Sequence, residues 1–236
     1  MSEEIFLSVV IPAYNEEKRL PATLRAVLAY LGRQQYTWEV LVVNDGSKDK
    51  TAELVREAAK MEPWVKLIQY GVNRGKGYAV RQGMLKATGK FRLFMDADNS
   101  TTLDHIEQFM SYFEQGYDVV IGSRDVEGAQ IAVHQPWWKE KLGNLGNVWI
   151  RFWAVPGIYD TQAGFKVFRD YAAKAVFPYL TIDRWRFDVE ALAVAMRRGF
   201  KIAERPIRWV NDPDSKVSVQ AYKEVLFEVV RVRWNI

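Results

Sequence analysis

Residues 91–98 read FRLFMDAD, and this stretch decides both the fold and the position of the site. The apolar run Phe91–Met95 has the length of one buried strand. Asp96 and Asp98 follow it two residues apart, which places both carboxylates on one face if the strand continues. Paired carboxylates suit a hard divalent cation, and ligands of open α/β sheets bind at the carboxyl ends of the strands. Taken alone, the pair is equally compatible with a solvated turn.

Strand-like and helix-like segments alternate through the first half of the chain. Helices of this length between strands indicate an α/β, Rossmann-like fold: a mostly parallel central sheet with helices on both faces. Apolar runs predict the other strands of this half at Leu7–Tyr14, Glu39–Val43, Val65–Tyr70 and Asp118–Gly122. Apolar residues at helical spacing predict helices at Glu17–Leu31, Asp49–Met61, Gly77–Ala87 and Leu103–Gln115.

The second half of the chain is less regular. We interpret 1–236 as one domain, with a nucleotide half at about 1–125 and an acceptor half at about 126–236. Pro136–Val155 and Val217–Trp234 are candidate amphipathic helices, which either cover the sheet or lie in a membrane interface. The other assignments are a loop at Val126–Gln135, strands at Gly164–Phe168 and Lys201–Val210, a helix at Phe187–Arg198 and a turn at Asn211–Ser215.

Composition excludes several classes of site. The 236 residues contain no cysteine, which rules out disulfides, thiolate zinc sites and a cysteine nucleophile. The net charge of +4 fits an anionic ligand or membrane surface, and no nucleic-acid-binding motif is present. No apolar stretch reaches transmembrane length, and the acidic N-terminus does not resemble a signal peptide. We therefore expect a cytoplasmic protein, with peripheral contact at the cytoplasmic membrane face left open.

Polar strings follow the predicted strands of the first half. Pro12, Tyr14 and Glu16 can contact a base and ribose, as can Asp45, although local evidence alone favours a cap or a turn for each string. Asn73–Gly77 is a basic, glycine-spaced loop before a helix, which suits an anion or is a simple exposed turn. It contains Lys76 and does not match a Walker A motif.

The strings that follow combine cations or polar groups with aromatic residues. Arg124, after the fifth strand, can meet a phosphate with a fork of donors. The string Asp160–Lys166 contains Gln162, and Trp185–Glu190 contains Asp188. Such mixtures suit a sugar, which offers hydroxyls and an apolar ring face. Asp188 begins a helix, where it can cap the helix rather than act on a substrate.

In this order the strings resemble the family-2 nucleotide-sugar glycosyltransferases, which have the GT-A fold. The resemblance runs from about Leu7 to Ser215 and is closest to the branch that acts on dolichyl phosphate, glucosyl-type members above all. It implies that the nucleoside contacts Pro12, Tyr14, Glu16 and Asp45. It also implies that Asp96 and Asp98 lie at the diphosphate with Mg²⁺ or Mn²⁺, with Asp98 the more direct ligand.

Further roles follow from the same resemblance. Lys76 and Arg124 would contact the nucleotide sugar, and Asp98, Asp188 and Arg124 would be catalytic. Ser100 stands where mannose synthases carry a glutamine, which leaves the third metal ligand open and disfavours GDP-mannose. The residues expected at the acceptor or sugar are Gln162, Lys166, Trp185 and Asp188.

The resulting hypothesis is an inverting, metal-dependent transfer of a hexose, with UDP-glucose the favoured donor, onto a polyprenyl (dolichyl-type) phosphate. Three alternatives remain open. The donor is instead GDP-mannose or UDP-GlcNAc, the acceptor is soluble or a polysaccharide, or the chain is a non-catalytic nucleotide-sugar-binding module.

Overall fold

A computed structural model describes residues 4–132 and 153–210 of the chain. The strands are β1 (Leu7–Ala13), β2 (Trp38–Asp45), β3 (Val65–Tyr70), β4 (Phe91–Met95), β5 (Val119–Ser123), β6 (Gln130–Ile131), β7 (Phe165–Arg169), β8 (Ile202–Pro206) and β9 (Arg208–Trp209). The helices are α1 (Leu20–Leu31), α2 (Thr51–Met61), α3 (Lys76–Lys86), α4 (His105–Glu114), α5 (Asp170–Val176) and α6 (Phe187–Arg197), with a 3₁₀ turn at Phe177–Tyr179.

A seven-stranded sheet forms the centre, in the order β3-β2-β1-β4-β7-β5-β8. All neighbours are parallel except β7, which is antiparallel to both β4 and β5. Phe165 pairs with Met95, so β7 starts at the carboxyl edge and runs back across the sheet. The mostly parallel sheet expected from the sequence is confirmed, but the antiparallel insertion was not predicted.

Alternate residues of the central strands feed two separate cores. In β1, Leu7, Val9 and Ile11 face a core with α1, α2 and α4, whereas Val10 faces the core with α3, α5 and α6. Period-2 alternation in a buried strand requires apolar residues on both faces, which explains the continuous apolar runs. The helices therefore cover both faces of the sheet, as predicted.

Several element boundaries differ from the predictions. Helix α1 begins at Leu20 rather than Glu17, because the backbone N–H of Arg19 bonds to the Glu16 carbonyl at 3.1 Å in a preceding turn. The strand predicted at Lys201–Val210 is two strands, since Ile207 separates β8, which pairs with β5, from β9, which pairs with β6. Strand β6 lies inside the segment predicted as a loop, and α5 was not predicted.

Some predictions fall outside the described residues. They are the turn at Asn211–Ser215, the candidate helix Val217–Trp234, residues 133–135 of the loop Val126–Gln135, and residues 136–152 of the candidate helix Pro136–Val155. In the part of the chain that is described, none of the helices combines the length and apolar character needed to cross a membrane.

Candidate active site

The acidic pair leaves the carboxyl end of β4 in a loop that three other elements hold in place. The backbone N–H of Asp96 donates to the carbonyl of Gly164 at 3.2 Å. Thr23, on α1, donates to the Ala97 carbonyl at 2.6 Å, and the N–H of Val210 donates to the Ser100 carbonyl at 2.9 Å. The backbone of the loop that carries both carboxylates is therefore held in place from three sides.

Gly164 leaves the space that the Asp96 carboxylate occupies. A Cβ at residue 164 would lie 2.1 Å from Asp96 Oδ2 and 2.4 Å from Cγ. Side chains larger than hydrogen at this position would thus displace the carboxylate. Gly164 belongs to the string Asp160–Lys166, so this string determines where the carboxylate of Asp96 can lie.

Lys76 brings a cation to the acidic pair from the first residue of α3. Its ammonium forms an ion pair with Asp96 Oδ1. The flanking glycines let the backbone approach the loop before α6: a Cβ on Gly75 (φ +108°) would lie 2.4 Å from the Asp183 carbonyl oxygen, and one on Gly77 would lie 2.5 Å from that of Ile182. The basic loop predicted at Asn73–Gly77 is therefore part of the site.

Electrostatic coupling joins these groups. Burial alone would lower the pKa of the Lys76 ammonium, but the carboxylates of Asp96 and Asp188 raise it above its ordinary value. Burial, and then the charge of Asp96, raise the pKa of Asp98, although the Ser100 N–H donates to Asp98 Oδ1 at 2.9 Å. The positive charge of Lys76 lowers the pKa of Asp98 but does not outweigh burial and the charge of Asp96.

Asp188 lies in the first turn of α6 and is paired with Lys166 of β7. The Lys166 ammonium is 2.8 Å from Asp188 Oδ1 and also donates to the Ala163 carbonyl. Burial raises the pKa of Asp188, and the lysines Lys166 and Lys76 only partly oppose that rise. Lys166 has no exposed surface, so the sugar contact predicted for it is not available in this structure.

Glu190, two residues after Asp188, anchors the loop that carries the motif. Its carboxylate accepts hydrogen bonds from the backbone N–H groups of Thr181 and Ile182 and from the Thr181 hydroxyl, at 2.7 to 3.0 Å. In the string Trp185–Glu190, Asp188 therefore faces the site, whereas Glu190 shapes the loop beside it.

Arg124 is held by Asp160, and the sequence did not reveal this partner. The guanidinium donates to both carboxylate oxygens at 2.7 and 3.0 Å, and the N–H of Arg124 adds a third bond at 3.0 Å. Burial would raise the pKa of Asp160, but Arg124 lowers it to about 2. Asp160 also accepts from the N–H groups of Gln162 and Ala163, so it fixes the loop before β7.

The residues predicted at the nucleoside lie at the ends of β1 and β2. Tyr14 is exposed, while Glu16 is buried and its carboxylate accepts two hydrogen bonds from Arg19. Asp45 is buried and accepts bonds from the Asn73 amide and from the N–H groups of residues 74 and 75, at 2.8 to 2.9 Å. Asp45 therefore also fixes the basic loop next to Lys76.

The structure brings many of the predicted residues to the carboxyl edge of the sheet. Gln162 and Trp185 are exposed there, and the Trp185 ring centre is 5.6 Å from the Lys76 ammonium. Contact or charge coupling joins Lys76, Asp96, Asp98, Arg124, Lys166 and Asp188. The sequence analysis assigned no role to Asp160, Gly164 and Glu190, although it named the strings that contain them.

The acidic pair fits a divalent cation. Asp96 Oδ1 lies against the Lys76 ammonium as an ion pair, and the Asp96 side chain is 30% exposed, so a further positive ion can reach the carboxylate. Asp98 beside it has a raised pKa, which an added cation would lower. Among the described residues no group of three or more His, Asp or Glu side chains forms a ready cage. A cation held here would therefore complete its oxygen ligands from substrate phosphates, as Mg²⁺ commonly does.

Comparison with known proteins identifies the family. The family model Glycosyl transferase family 2 matches residues 8–177. The chain belongs to glycosyltransferase family 2. It is 38% identical to dolichyl-phosphate beta-glucosyltransferase ALG5C of Trichomonas vaginalis over 97% of this chain and 71% of that protein. It is 34% identical to the human dolichyl-phosphate beta-glucosyltransferase over 97% of this chain and 75% of that protein.

Solved structures confirm the GT-A fold. Glucosyl-3-phosphoglycerate synthase from Mycobacterium tuberculosis, in complex with Mn²⁺, UDP-glucose and phosphoglyceric acid, superimposes with a TM-score of 0.72 at 13% identity. The match covers 98% of this chain and 80% of that one. The mannosyltransferase PcManGT from Pyrobaculum calidifontis gives a TM-score of 0.62 at 19% identity, covering 99% and 64%. These likenesses show the fold of the chain, and the family match shows that it is a glycosyltransferase.

Proposed function

We propose that this glycosyltransferase moves glucose from UDP-glucose onto a polyprenyl phosphate of the dolichyl type, with inversion at the anomeric carbon. The observation that carries the proposal is the similarity, along nearly the whole chain, to proteins named for dolichyl-phosphate glucosylation. The acidic pair at the end of β4 supports it, because a sugar donor of this kind carries a diphosphate, and a divalent cation held by the pair would neutralise that diphosphate.

Asp96 and Asp98 would hold Mg²⁺ or Mn²⁺ in this proposal. The bound cation would supply Lewis-acid neutralisation of the negative charge that develops on the departing diphosphate. Lys76 contacts the Asp96 carboxylate and would offer a second positive charge to the phosphates. The nucleoside would lie along the ends of β1 and β2, near Pro12, Tyr14, Glu16 and Asp45.

The acceptor in this reaction is already an anion. A phosphate oxygen can attack the anomeric carbon without prior removal of a proton, so a strong general base is not required. Positioning therefore accounts for much of the rate enhancement, since holding both substrates in line makes a bimolecular reaction effectively unimolecular. Asp188 would accept a hydrogen bond from a sugar hydroxyl and hold the ring in that geometry.

Arg124 has a narrower role than the sequence suggested. Its guanidinium already shares two hydrogen bonds with Asp160, so it would offer its remaining surface and charge to phosphate at the edge of the site. Exposed Gln162 and Trp185 would contact the acceptor or the sugar face. Because a polyprenyl phosphate resides in a membrane, we propose peripheral contact of this chain with the cytoplasmic face.

A transfer assay tests the proposal. The purified full chain is incubated with radiolabelled UDP-glucose, Mn²⁺ and a short polyprenyl phosphate, and label is counted in the organic phase. We expect transfer from UDP-glucose at least tenfold above that from GDP-mannose or UDP-GlcNAc, and none with Asp98→Asn. Equal transfer to a soluble sugar acceptor, or binding of UDP-glucose without turnover, would favour an alternative function.

A further inference from the structure

Lys166 and Asp188 form an ion pair that is buried on both sides. The exposed fractions of the two side chains are 0% and 5%, and their charged atoms are 2.8 Å apart. The Lys166 ammonium also lies 5.4 Å from the ring centre of Phe94. Neither solvent nor substrate reaches the lysine, so its effect on any reaction must pass through the groups that it touches.

Stability alone is a poor reason for this pair. Two charges lose their hydration when buried, and well-packed apolar residues of similar volume are often as stabilising. The position of the lysine suggests another reason. It is the second residue of β7, between β4 and β5 in the centre of the sheet, where the backbone is held on both sides.

A ladder of alternating charges runs from this lysine to the acidic pair. Lys166 contacts Asp188, the charge of Asp188 acts on Lys76, and Lys76 contacts Asp96. Asp188 interacts with Lys166 and Lys76, and Lys76 interacts with Asp188 and Asp96, whose charge also acts on Arg124. The buried side chains of Lys166 and Asp188 form one end of this ladder and hold each other in place. Asp96 and Asp98 lie at the other end.

We propose that Lys166 is a positioning residue, which fixes the Asp188 carboxylate for its contact with the donor sugar and does not itself touch substrate. This inference rests on the proposed function, since the role of Asp188 belongs to that function. It replaces the direct sugar contact that the sequence predicted for Lys166. The rigid strand thus sets the orientation of a side chain on a neighbouring helix.

The primary test compares two lysine variants. Lys166→Met removes the charge at nearly constant volume. Lys66→Met is the control for loss of a lysine paired with a buried carboxylate, because half-exposed Lys66 forms a 2.7 Å ion pair with the fully buried Glu39 away from the cluster. We expect Lys166→Met to lower kcat roughly 100-fold, as a displacement of about 1 Å does, with KM for UDP-glucose within about twofold. Equal kcat values for the two folded variants would overturn the proposal.

A double-mutant cycle covers the case in which Lys166→Met folds poorly. Removing both charges, as Lys166→Met with Asp188→Asn, leaves no unpaired buried charge and should restore the melting temperature. If Lys166 acts only through Asp188, adding Lys166→Met to Asp188→Asn changes kcat by less than about twofold. A further loss of tenfold or more would show that the lysine acts elsewhere.

The pH profile provides a readout that a purely structural lysine would not move. The charged groups that face Asp188 are Lys166 on β7, Lys76 on α3 and Asp96 after β4. Without the Lys166 charge, the pKa of Asp188 rises further and the acid limb of kcat moves to higher pH. Lys166→Arg keeps the charge and should keep the limb in place; a shift shared by both variants, or by neither, contradicts the inference.

A crystal structure of Lys166→Met separates this inference from the proposed function. We expect the Asp188 carboxylate to have moved by about 1 Å or more, and an unmoved carboxylate overturns the positioning role whatever the reaction. A wild-type protein that transfers no sugar from any nucleotide sugar overturns the proposed function instead, and leaves the structural result to decide the role of Lys166.

Discussion

The contact between Gly164 and Asp96 gives the sharpest test of how the acidic site is built. In Gly164→Ala the new Cβ would lie 2.1 Å from Asp96 Oδ2, 2.4 Å from Cγ and 2.6 Å from Oδ1. Ordinary van der Waals contact begins near 3.4 Å, so the nearest oxygen has to retreat by about 1.3 Å. The whole carboxylate faces the new methyl group, and rotation about its terminal bond does not relieve the overlap.

The expected loss follows from that displacement. A shift of about 1 Å in a positioned group costs on the order of 100-fold in rate, which is about 2.7 kcal/mol in the activation free energy. The fold should persist, because the backbone of Gly164 has no positive φ and the overlap involves a side chain rather than the sheet. Binding of Mn²⁺ with UDP should weaken in parallel with turnover.

The assay measures kcat, Mn²⁺ affinity in the presence of UDP, and the melting temperature for the two variants Gly164→Ala and Gly71→Ala. Gly71 is the matched control, since a Cβ there meets nothing within 4 Å and its φ is not positive. We expect the control to behave as wild type in all three. A Gly164→Ala protein with wild-type kcat and Mn²⁺ affinity would refute the reasoning that the Asp96 position matters.

Three further predictions concern charge. Asp160→Asn should lower the free energy of unfolding at pH 7 by about 2 kcal/mol, because the native pKa of Asp160 is about 2 against an ordinary 3.8. This stabilisation is fully present above the ordinary pKa and is lost as the pH falls from about 4 to about 2. Urea titrations of wild type and variant should therefore show a smaller difference in stability at pH 2.5 than at pH 7. Lys76→Met should weaken UDP binding about tenfold while strengthening Mn²⁺ binding without nucleotide, as measured by calorimetry; unchanged affinities would count against both roles of its ammonium. Chelation with EDTA should abolish transfer, and Mn²⁺ or Mg²⁺ should restore it in wild type but not in Asp98→Asn, whereas activity that survives chelation would exclude the metal requirement.

The first half of the fold was accessible from the sequence because its strands are buried on both faces. Apolar runs such as Val40–Val43 are typical of a strand that is buried on both faces. Helical spacing of apolar residues is clear where one face of a helix packs on the sheet. The position of strand β7 in the sequence was predicted to within one residue. Its direction was not predicted, because it depends on the edge of the sheet at which the preceding segment ends. Helix α5 is short, at seven residues, and has too few turns for a clear periodicity.

The candidate site shows the same division. The location of Asp96 and Asp98 followed from the end of β4, since the carboxyl edge of the sheet is set by topology. The partners of Lys166 and Arg124 did not follow, because a cation in a motif can bind substrate or neutralise a buried carboxylate. Only the fold shows that Asp188 and Asp160 lie within hydrogen-bond distance of them.

Calorimetric titration of the 236-residue chain with UDP-glucose, in the presence of Mn²⁺, tests the central claim most directly. The account predicts saturable one-to-one binding to wild type, with affinity lower by at least tenfold in Asp98→Asn and unchanged in Lys66→Met. Affinity for UDP-glucose that is equal in wild type and Asp98→Asn would contradict the assignment of the β4 edge as the donor site.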